Sequence, residues 1–275
     1  MKNSVNITII GYGEVGTIFA RDFLSRGDVR ITAYDIKFAS AEHGPAMLAR
    51  AKAEGVVVAE NHFAAAAHAN IVISAVTADV ALAVAEHAAT YLRPGQIYFD
   101  INSASPGAKT KAAKAVNACG ARYVEGAVMA PVPGPGVKVP ILAGGPAAAE
   151  AADSLNALGM NVTAVTTEPG RASATKLCRS IMIKGIEALI VDCAAASNQW
   201  GVQKEVFASL DASYPSIDFT KLAVDMAGRV RQHGVRRAAE MREAAQMLDD
   251  LGMDGGLSRA VADAQQRGAG KAGLD

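Results

Sequence analysis

The first 165 residues alternate between short apolar segments and longer segments with apolar residues at every third or fourth position. Apolar runs rich in β-branched residues predict strands, and the periodic segments that end at Gly or Pro predict helices. The predicted strands are residues 5–10, 29–34, 56–58, 71–76, 97–100, 122–124 and 139–143. The predicted helices are residues 16–26, 44–54, 80–92 and 107–118. This order predicts an α/β Rossmann-type fold with a doubly wound, mostly parallel sheet.

The second part of the chain has a helical composition from residue 172 onward. The predicted helices are residues 172–199, 202–211, 218–231, 235–251 and 256–267, with a possible break at Gly234. We therefore predict two domains, a Rossmann-type domain over residues 1–167 and a smaller all-α C-terminal domain over residues 168–275. The first long helix is expected to bridge them.

A glycine-rich turn follows the first predicted strand. The segment Gly11-Tyr12-Gly13-Glu14-Val15-Gly16 matches G-x-G-x-x-G and opens a predicted helix. Gly11 permits a tight turn, Gly13 lets a pyrophosphate approach the backbone, and Gly16 allows close helix–strand packing. In this context the segment predicts a dinucleotide site at the helix N-terminus. The alternative is a strand-turn-helix whose glycines serve geometry only.

Asp35 bears on the choice between NAD and NADP. It ends the second predicted strand, 19 residues after Gly16. A carboxylate there accepts hydrogen bonds from ribose hydroxyls and repels a 2′-phosphate, which favours NAD. Lys37 follows closely and could pair with a 2′-phosphate, so NADP stays possible.

Polar and turn-forming residues follow the carboxyl ends of other strands, where ligands bind in such sheets. We expect Val76, Thr77 and Asn102 to contact the cofactor. Asn102 and Ser103 carry donors and acceptors that suit a hydroxy acid, or they cap the next helix. The Gly- and Pro-rich segment 126–136, with Met129 and Ala130, forms either a surface crossover or a wall of the substrate site.

Lys176 lies near the start of the bridging helix. Ser180, Lys184 and Glu187 share its helical face, and a solvated stripe with Lys184 paired to Glu187 is one interpretation. The other is a general acid/base that acts on a substrate hydroxyl, with a pKa lowered by burial and by Arg179.

These motifs together resemble the β-hydroxyacid dehydrogenase family, which includes 3-hydroxyisobutyrate and 6-phosphogluconate dehydrogenases. The resemblance rests on the glycine fingerprint, on Asp100-Ile101-Asn102-Ser103, on the segment from Gly126 to Pro131, and on Gly170 to Lys176. It implies hydride transfer between a substrate carbinol carbon and C4 of a nicotinamide, with Lys176 moving the hydroxyl proton.

The resemblance also implies a substrate site. Ser103, with backbone groups near Met129 and Ala130, would hold a substrate carboxylate, and Asn102 would lie between nicotinamide and substrate. The family's Ser-Gly-Gly is replaced here by Met129-Ala130-Pro131, and its Asn after the lysine by Ser180. Together with Arg179, these departures indicate a substrate other than the usual ones.

The C-terminal part resembles a poorly characterised, phosphogluconate-dehydrogenase-like branch of the family. The similar stretches are residues 176–185 and 233–241. Arg229, His233, Arg236 and Glu240 share one helical face there. This face is either a salt-bridged surface or dimer face, or an anion-binding patch.

Composition excludes several other classes of protein. The chain has 275 residues, 51% of them hydrophobic, with 27 basic and 27 acidic residues. Zero net charge argues against a nucleic-acid partner, and no apolar run is long enough to cross a membrane. The N-terminal residues lack signal-peptide features, and three scattered cysteines indicate neither disulfides nor a metal site. We expect a cytoplasmic homodimer that acts on a small carboxylate.

Three other functions stay open. An imine reductase shares this architecture but would need a different proton donor in place of Lys176. A non-catalytic NAD(P) sensor would use the fingerprint without the lysine. A methyltransferase would fit Asp35 and the helical domain less well.

Overall fold

Eight strands form one sheet in the computed structural model, which describes residues 5–270. Residues 1–4, which include the end inspected for a signal peptide, and residues 271–275 lie outside the described part. The strands are β1 (Val5–Ile10), β2 (Val29–Tyr34), β3 (Val57–Val58), β4 (Ile71–Ser74), β5 (Ile97–Asp100), β6 (Arg122–Val128), β7 (Pro140–Gly144) and β8 (Asn161–Thr166). Their order is β3-β2-β1-β4-β5-β6-β7-β8.

The sheet is parallel from β3 to β6, β7 pairs antiparallel with β6, and β8 runs parallel to β7. In residues 5–170 the structure has six α-helices: α1 (Glu14–Leu24), α2 (Gly44–Glu54), α3 (His62–Ala66), α4 (Ala78–Ala88), α5 (Pro106–Ala118) and α6 (Ala148–Ala157). Apolar side chains of strands and helices, such as Ile9, Phe19 and Phe99, are fully buried. The predicted Rossmann-type fold is thus confirmed, whereas α3, α6 and β8 were not predicted.

The rest of the chain is helical, as predicted. As far as residue 270, four helices follow the sheet: α7 (Arg171–Trp200), α8 (Gln203–Ser213), α9 (Phe219–Asp250) and α10 (Gly256–Gly268). The chain divides into two compact units, Met1–Lys176 and Leu177–Asp275, and α7 crosses from one to the other. The boundary between residues 167 and 168 remains a prediction.

Two ion pairs, each between a buried residue of α7 and a half-buried residue of α9, join these helices within the second unit. Glu187, fully buried, accepts hydrogen bonds from Arg237, and Lys184 Nζ lies 3.2 Å from a carboxylate oxygen of Glu240. Burial lowers the pKa of Lys184, and Glu240 opposes that shift. The sequence-based pairing of Lys184 with Glu187 was wrong because each residue finds its partner on the facing helix.

The predicted break at Gly234 was also wrong. Helix α9 runs without interruption past this residue, which is buried under α10. A Cβ at Gly234 would overlap the carbonyl oxygen of Gln265 and lie 3.0 Å from the Ala269 side chain. The glycine therefore permits close approach of α10 and does not end the helix.

Replacing Gly234 should separate α10 from α9. We expect Gly234→Ala to lower the free energy of unfolding by about 1–3 kcal/mol, since the added methyl meets backbone that cannot move away locally. Gly228→Ala is the matched control in the same helix, where a Cβ meets nothing within 4 Å. This control should raise stability by about 0.5–1 kcal/mol. Equal urea midpoints for the two variants would contradict the packing role.

Candidate active site

The glycine fingerprint forms the tight turn from β1 to α1. Gly11 has a φ of +95°, and a Cβ there would overlap the carbonyl oxygen of Ala75, just beyond β4. A Cβ at Gly16 would overlap the carbonyl oxygen of Gly11. Both glycines are therefore required for the close backbone contacts of this turn.

The same turn leaves room for a phosphate group. Gly13 is exposed, and a Cβ built on it would meet nothing within 4 Å. It immediately precedes α1, whose first N–H groups have no partner within the helix. Glu14 is exposed and Val15 half-buried in that first turn. Open space above a helix N-terminus fits a dinucleotide pyrophosphate.

Asp35 is fixed by two backbone donors at the end of β2. Its Oδ2 accepts from the N–H of Tyr12 at 2.7 Å, and its Oδ1 accepts from the N–H of Lys37 at 2.8 Å. Each carboxylate oxygen can accept one further bond, which suits the two ribose hydroxyls of NAD. The Lys37 side chain is exposed beside it.

The Tyr12 side chain anchors the fingerprint turn and does not face solvent. Its ring is buried, the guanidinium of Arg50 lies 5.3 Å from the ring centroid, and the hydroxyl donates to Glu54 at 2.5 Å. Burial and the Glu54 carboxylate raise the pKa of Tyr12. Sequence reasoning placed Tyr12 at the cofactor, and the structure assigns its backbone to Asp35 and its side chain to α2.

A buried carboxylate organises the loop after β5. Asp100 Oδ1 lies 2.9 Å from Lys109 Nζ and accepts from the backbone N–H and the amide of Asn102, at 3.0 and 2.7 Å. Its Oδ2 accepts from the hydroxyl of Tyr123 at 2.8 Å. Lys109 also donates to the Asp100 carbonyl oxygen at 3.0 Å. The loop therefore starts from a fully paired buried charge.

Asn102 joins the ends of β4 and β5. Its Oδ1 accepts from the N–H of Val76 at 2.7 Å, and its Nδ2 donates to Ser74 at 3.0 Å. The structure thus brings together two of the predicted cofactor residues, Val76 and Asn102. Thr77 follows at the start of α4, where it is exposed.

Lys176 and Ser103 meet in the first unit. The Lys176 Nζ donates to the Ser103 Oγ, and both residues are half-buried. An amine and a hydroxyl at the carboxyl edge of a parallel sheet can bind a carboxylate and exchange a proton with a neighbouring hydroxyl.

The other predicted substrate residues, Met129, Ala130, Arg179 and Ser180, lie in two different places. Met129 and Ala130 follow β6, and the N–H of Met129 donates to the carbonyl oxygen of Pro140. Arg179 and Ser180 belong to the second unit. There Arg179 is exposed, and the buried Ser180 donates to Glu240 at 2.6 Å. The Ser180 hydroxyl thus engages the ion pair of Lys184 and Glu240.

Sequence reasoning missed the buried Glu125 in β6. Its Oε1 accepts from the N–H groups of Gly170 and Ala172 at 2.8 and 3.0 Å, where α7 begins. Its Oε2 accepts from the hydroxyl and the N–H of Ser173 at 2.7 and 3.3 Å. Glu125 directly follows the predicted strand 122–124, and an acidic residue next to the apolar pair Tyr123-Val124 was the available signal.

Two further properties concern the described residues 5–270. They contain no group of three or more His, Cys, Asp or Glu side chains arranged to hold a metal ion. None of their helices is both long and apolar enough to cross a membrane.

Comparison with known proteins agrees with this geometry. Residues 6–167 match the family model of the NAD-binding domain of 6-phosphogluconate dehydrogenase. Residues 197–268 match a family described only as a domain of unknown function.

Three solved structures illustrate the likeness. A conserved hypothetical protein from Sinorhizobium meliloti 1021 is 38% identical, with a TM-score of 0.82 over 97% of this chain and 88% of that one. The conserved protein MTH1747, of unknown function and structurally similar to 3-hydroxyacid dehydrogenases, is 30% identical, with a TM-score of 0.77 over 96% of each chain.

The 3-hydroxyisobutyrate dehydrogenase of Mycobacterium tuberculosis, solved with L-serine, shares the fold at 15% identity. Its TM-score is 0.77 over 96% of this chain and 93% of that one. The matched family model covers more than half of the chain, and it spans the fingerprint turn, Asp35 and the loop after β5. The chain therefore belongs to the family defined by the NAD-binding domain of 6-phosphogluconate dehydrogenase.

Proposed function

We propose that the protein is an NAD-dependent oxidoreductase that interconverts a small 3-hydroxy acid, or a related carboxylate, and its carbonyl form. The observation that carries the proposal is the contact of Lys176 Nζ with Ser103 Oγ, in the same unit as the fingerprint turn. Bound NAD would supply a hydride acceptor for oxidation and, once reduced, a hydride donor for reduction.

The residues of the chain would divide the remaining work. The N-terminus of α1 and Gly13 would hold the pyrophosphate, and Asp35 the adenosine ribose. Ser103 would hold the substrate carboxylate by hydrogen bonding. Lys176 would accept the hydroxyl proton as a neutral amine during oxidation and return it as an ammonium during reduction.

Asp35 supports NAD over NADP, since a 2′-phosphate would be repelled by a carboxylate that the backbone N–H groups of Tyr12 and Lys37 hold in place. We expect NADH to raise the melting temperature more than NADPH at equal concentration. Asp35→Asn should lower this preference at least about tenfold in the ratio of the two dissociation constants, because a bond to a charged acceptor is worth about 1.5–3 kcal/mol. The surface variant Asp153→Asn should keep the wild-type ratio. A protein that binds neither nucleotide would contradict the proposal.

Lys176 is tested by separating turnover from cofactor binding. Lys176→Met should lower kcat for a 3-hydroxy acid by about 10²–10⁴-fold and leave the dissociation constant of NADH unchanged, since the variant loses only the proton carrier. Lys114→Met, which removes an exposed lysine on α5, is the control and should keep full activity.

The same assay distinguishes the alternatives if cyclic imines are screened beside 3-hydroxy acids. If the protein reduces imines but no carbonyl form of a 3-hydroxy acid, the proposed substrate is wrong and the imine reductase alternative is supported. NADH binding without turnover of either class, together with an inert Lys176→Met, would favour a sensor.

We also propose that the protein is a homodimer assembled through α7. Six residues follow the 4-3-4-3-4 spacing of a coiled-coil seam: Met182, Ile186, Leu189, Cys193, Ala196 and Trp200. Met182, Leu189 and Trp200 are 64%, 73% and 83% exposed, which is costly for large apolar side chains on one helix face. A second copy of the same helix offers a face of matching shape and chemistry.

Leu189→Glu should convert the dimer to a monomer in light scattering at micromolar concentration, because it places a charge in the seam. Leu257→Glu replaces an equally exposed leucine, 74% exposed, on α10 and should leave the dimer intact. A monomeric wild-type protein would overturn this assembly.

A further inference from the structure

Glu125 is a fully buried carboxylate that accepts hydrogen bonds from Gly170, the residue before α7, and from the first turn of α7. It accepts from the backbone of Gly170, Ala172 and Ser173 and from the Ser173 hydroxyl. The first N–H groups of a helix have no partner inside the helix, and they carry partial positive charge. A carboxylate at this place therefore satisfies the helix start and is itself stabilised by it.

The surrounding backbone is shaped to admit this carboxylate. Gly144 lies opposite Glu125 in the antiparallel pairing of β6 with β7. A Cβ at Gly144 would overlap Glu125 Oε1. Gly170 has a φ of +96°, and its N–H donates to the same oxygen. Two glycines thus leave the space and the backbone direction that the contact needs.

The strand register places Glu125 beside the loop that carries Ser103. Asp100 and Glu125 are register partners on the parallel strands β5 and β6. Asp100 holds the backbone and the amide of Asn102, the residue before Ser103. Glu125 holds the helix start from which Lys176 follows after about one and a half turns. Two neighbouring acids therefore hold the two chain segments that bring Ser103 and Lys176 together.

We infer that Glu125 is a positioning residue, whose carboxylate fixes the start of α7 and thereby holds the Lys176 amine against Ser103. The inference deepens the proposed function and rests on it for its effect on turnover. The predicted position of the Lys176 amine against Ser103 does not depend on which substrate the protein binds.

Glu125→Gln provides the main test because it keeps the size of the side chain. The amide retains one acceptor oxygen and turns an NH₂ group toward N–H donors, so at least one end of the contact is lost. A displacement of about 1 Å at a catalytic group costs on the order of 10²-fold in rate. We expect kcat to fall about 100-fold, with the KM for the hydroxy acid and the dissociation constant of NADH within about twofold of wild type.

A second readout needs no substrate. The native protein is treated with an amine-acylating reagent, and labelling of Lys176 is followed by peptide mass spectrometry. Release of the amine from Ser103 should raise the labelling rate of Lys176 about fivefold or more in Glu125→Gln, because an amine that no longer donates to a neighbouring hydroxyl is freer to meet the reagent. The labelling rate of the exposed Lys37 should stay unchanged. Ser173→Ala removes one of the four bonds and should give an intermediate rate.

Leu155→Ala is the matched control for lost stability. It truncates a fully buried side chain in α6 of the same unit without touching α7. This variant should melt at a lower temperature and keep the wild-type labelling rate of Lys176.

The outcomes separate the positioning role from the proposed function. Unchanged labelling and unchanged kcat in Glu125→Gln, with only a lower melting temperature, would overturn the positioning role. If Glu125→Gln does not fold, wild-type labelling in Ser173→Ala would overturn it as well. Suppose that the wild-type protein turns over no hydroxy acid, but that Lys176 is labelled faster in Glu125→Gln than in wild type. This result would refute the proposed substrate and support the positioning role.

Discussion

The pairing of β5 with β6 is the constraint on which the candidate active site depends. In a parallel sheet the carboxyl ends of neighbouring strands lie at the same edge, so residues that are distant in sequence meet there. The register sets Asp100 beside Glu125 at this edge. Asp100 is compensated by a buried lysine, and Glu125 by the N–H groups of a helix start. One buried carboxylate is thus stabilised by a lysine and the other by a helix N-terminus, and the two support adjacent parts of one site.

The fingerprint turn and the loop after β5 are coupled through backbone and amide groups. Ala75 packs against Gly11, and the next residue, Val76, donates to Asn102. Asn102 is in turn bonded to Asp100. A continuous set of contacts within the first unit therefore connects the turn assigned to the nucleotide with the loop that carries Ser103.

Local patterns in the sequence were sufficient for the parallel sheet and the fingerprint turn, since each depends on short-range periodicity or on a compact motif. The role of Lys176 was not fixed by its local pattern; it rests on the resemblance to the family and stays a prediction. Strand β8 was missed because it is an edge strand with mostly exposed residues, which weakens the apolar signal. The break expected at Gly234 failed because a glycine in a helix can serve a neighbouring helix. Partners such as Arg237 for Glu187, or α7 for Glu125, depend on tertiary packing and have no local signature.

The space opposite Glu125 couples the substitutions that positions 125 and 144 can accept during evolution. Because a side chain at position 144 would occupy the volume of the Glu125 carboxylate, a replacement there would displace this carboxylate unless the acid had already been shortened or lost. Substitutions at the two positions are therefore epistatic, and the order in which they arise matters. A substitution at position 144 therefore has a different cost in a chain that keeps the Glu125 carboxylate than in a chain that has lost it.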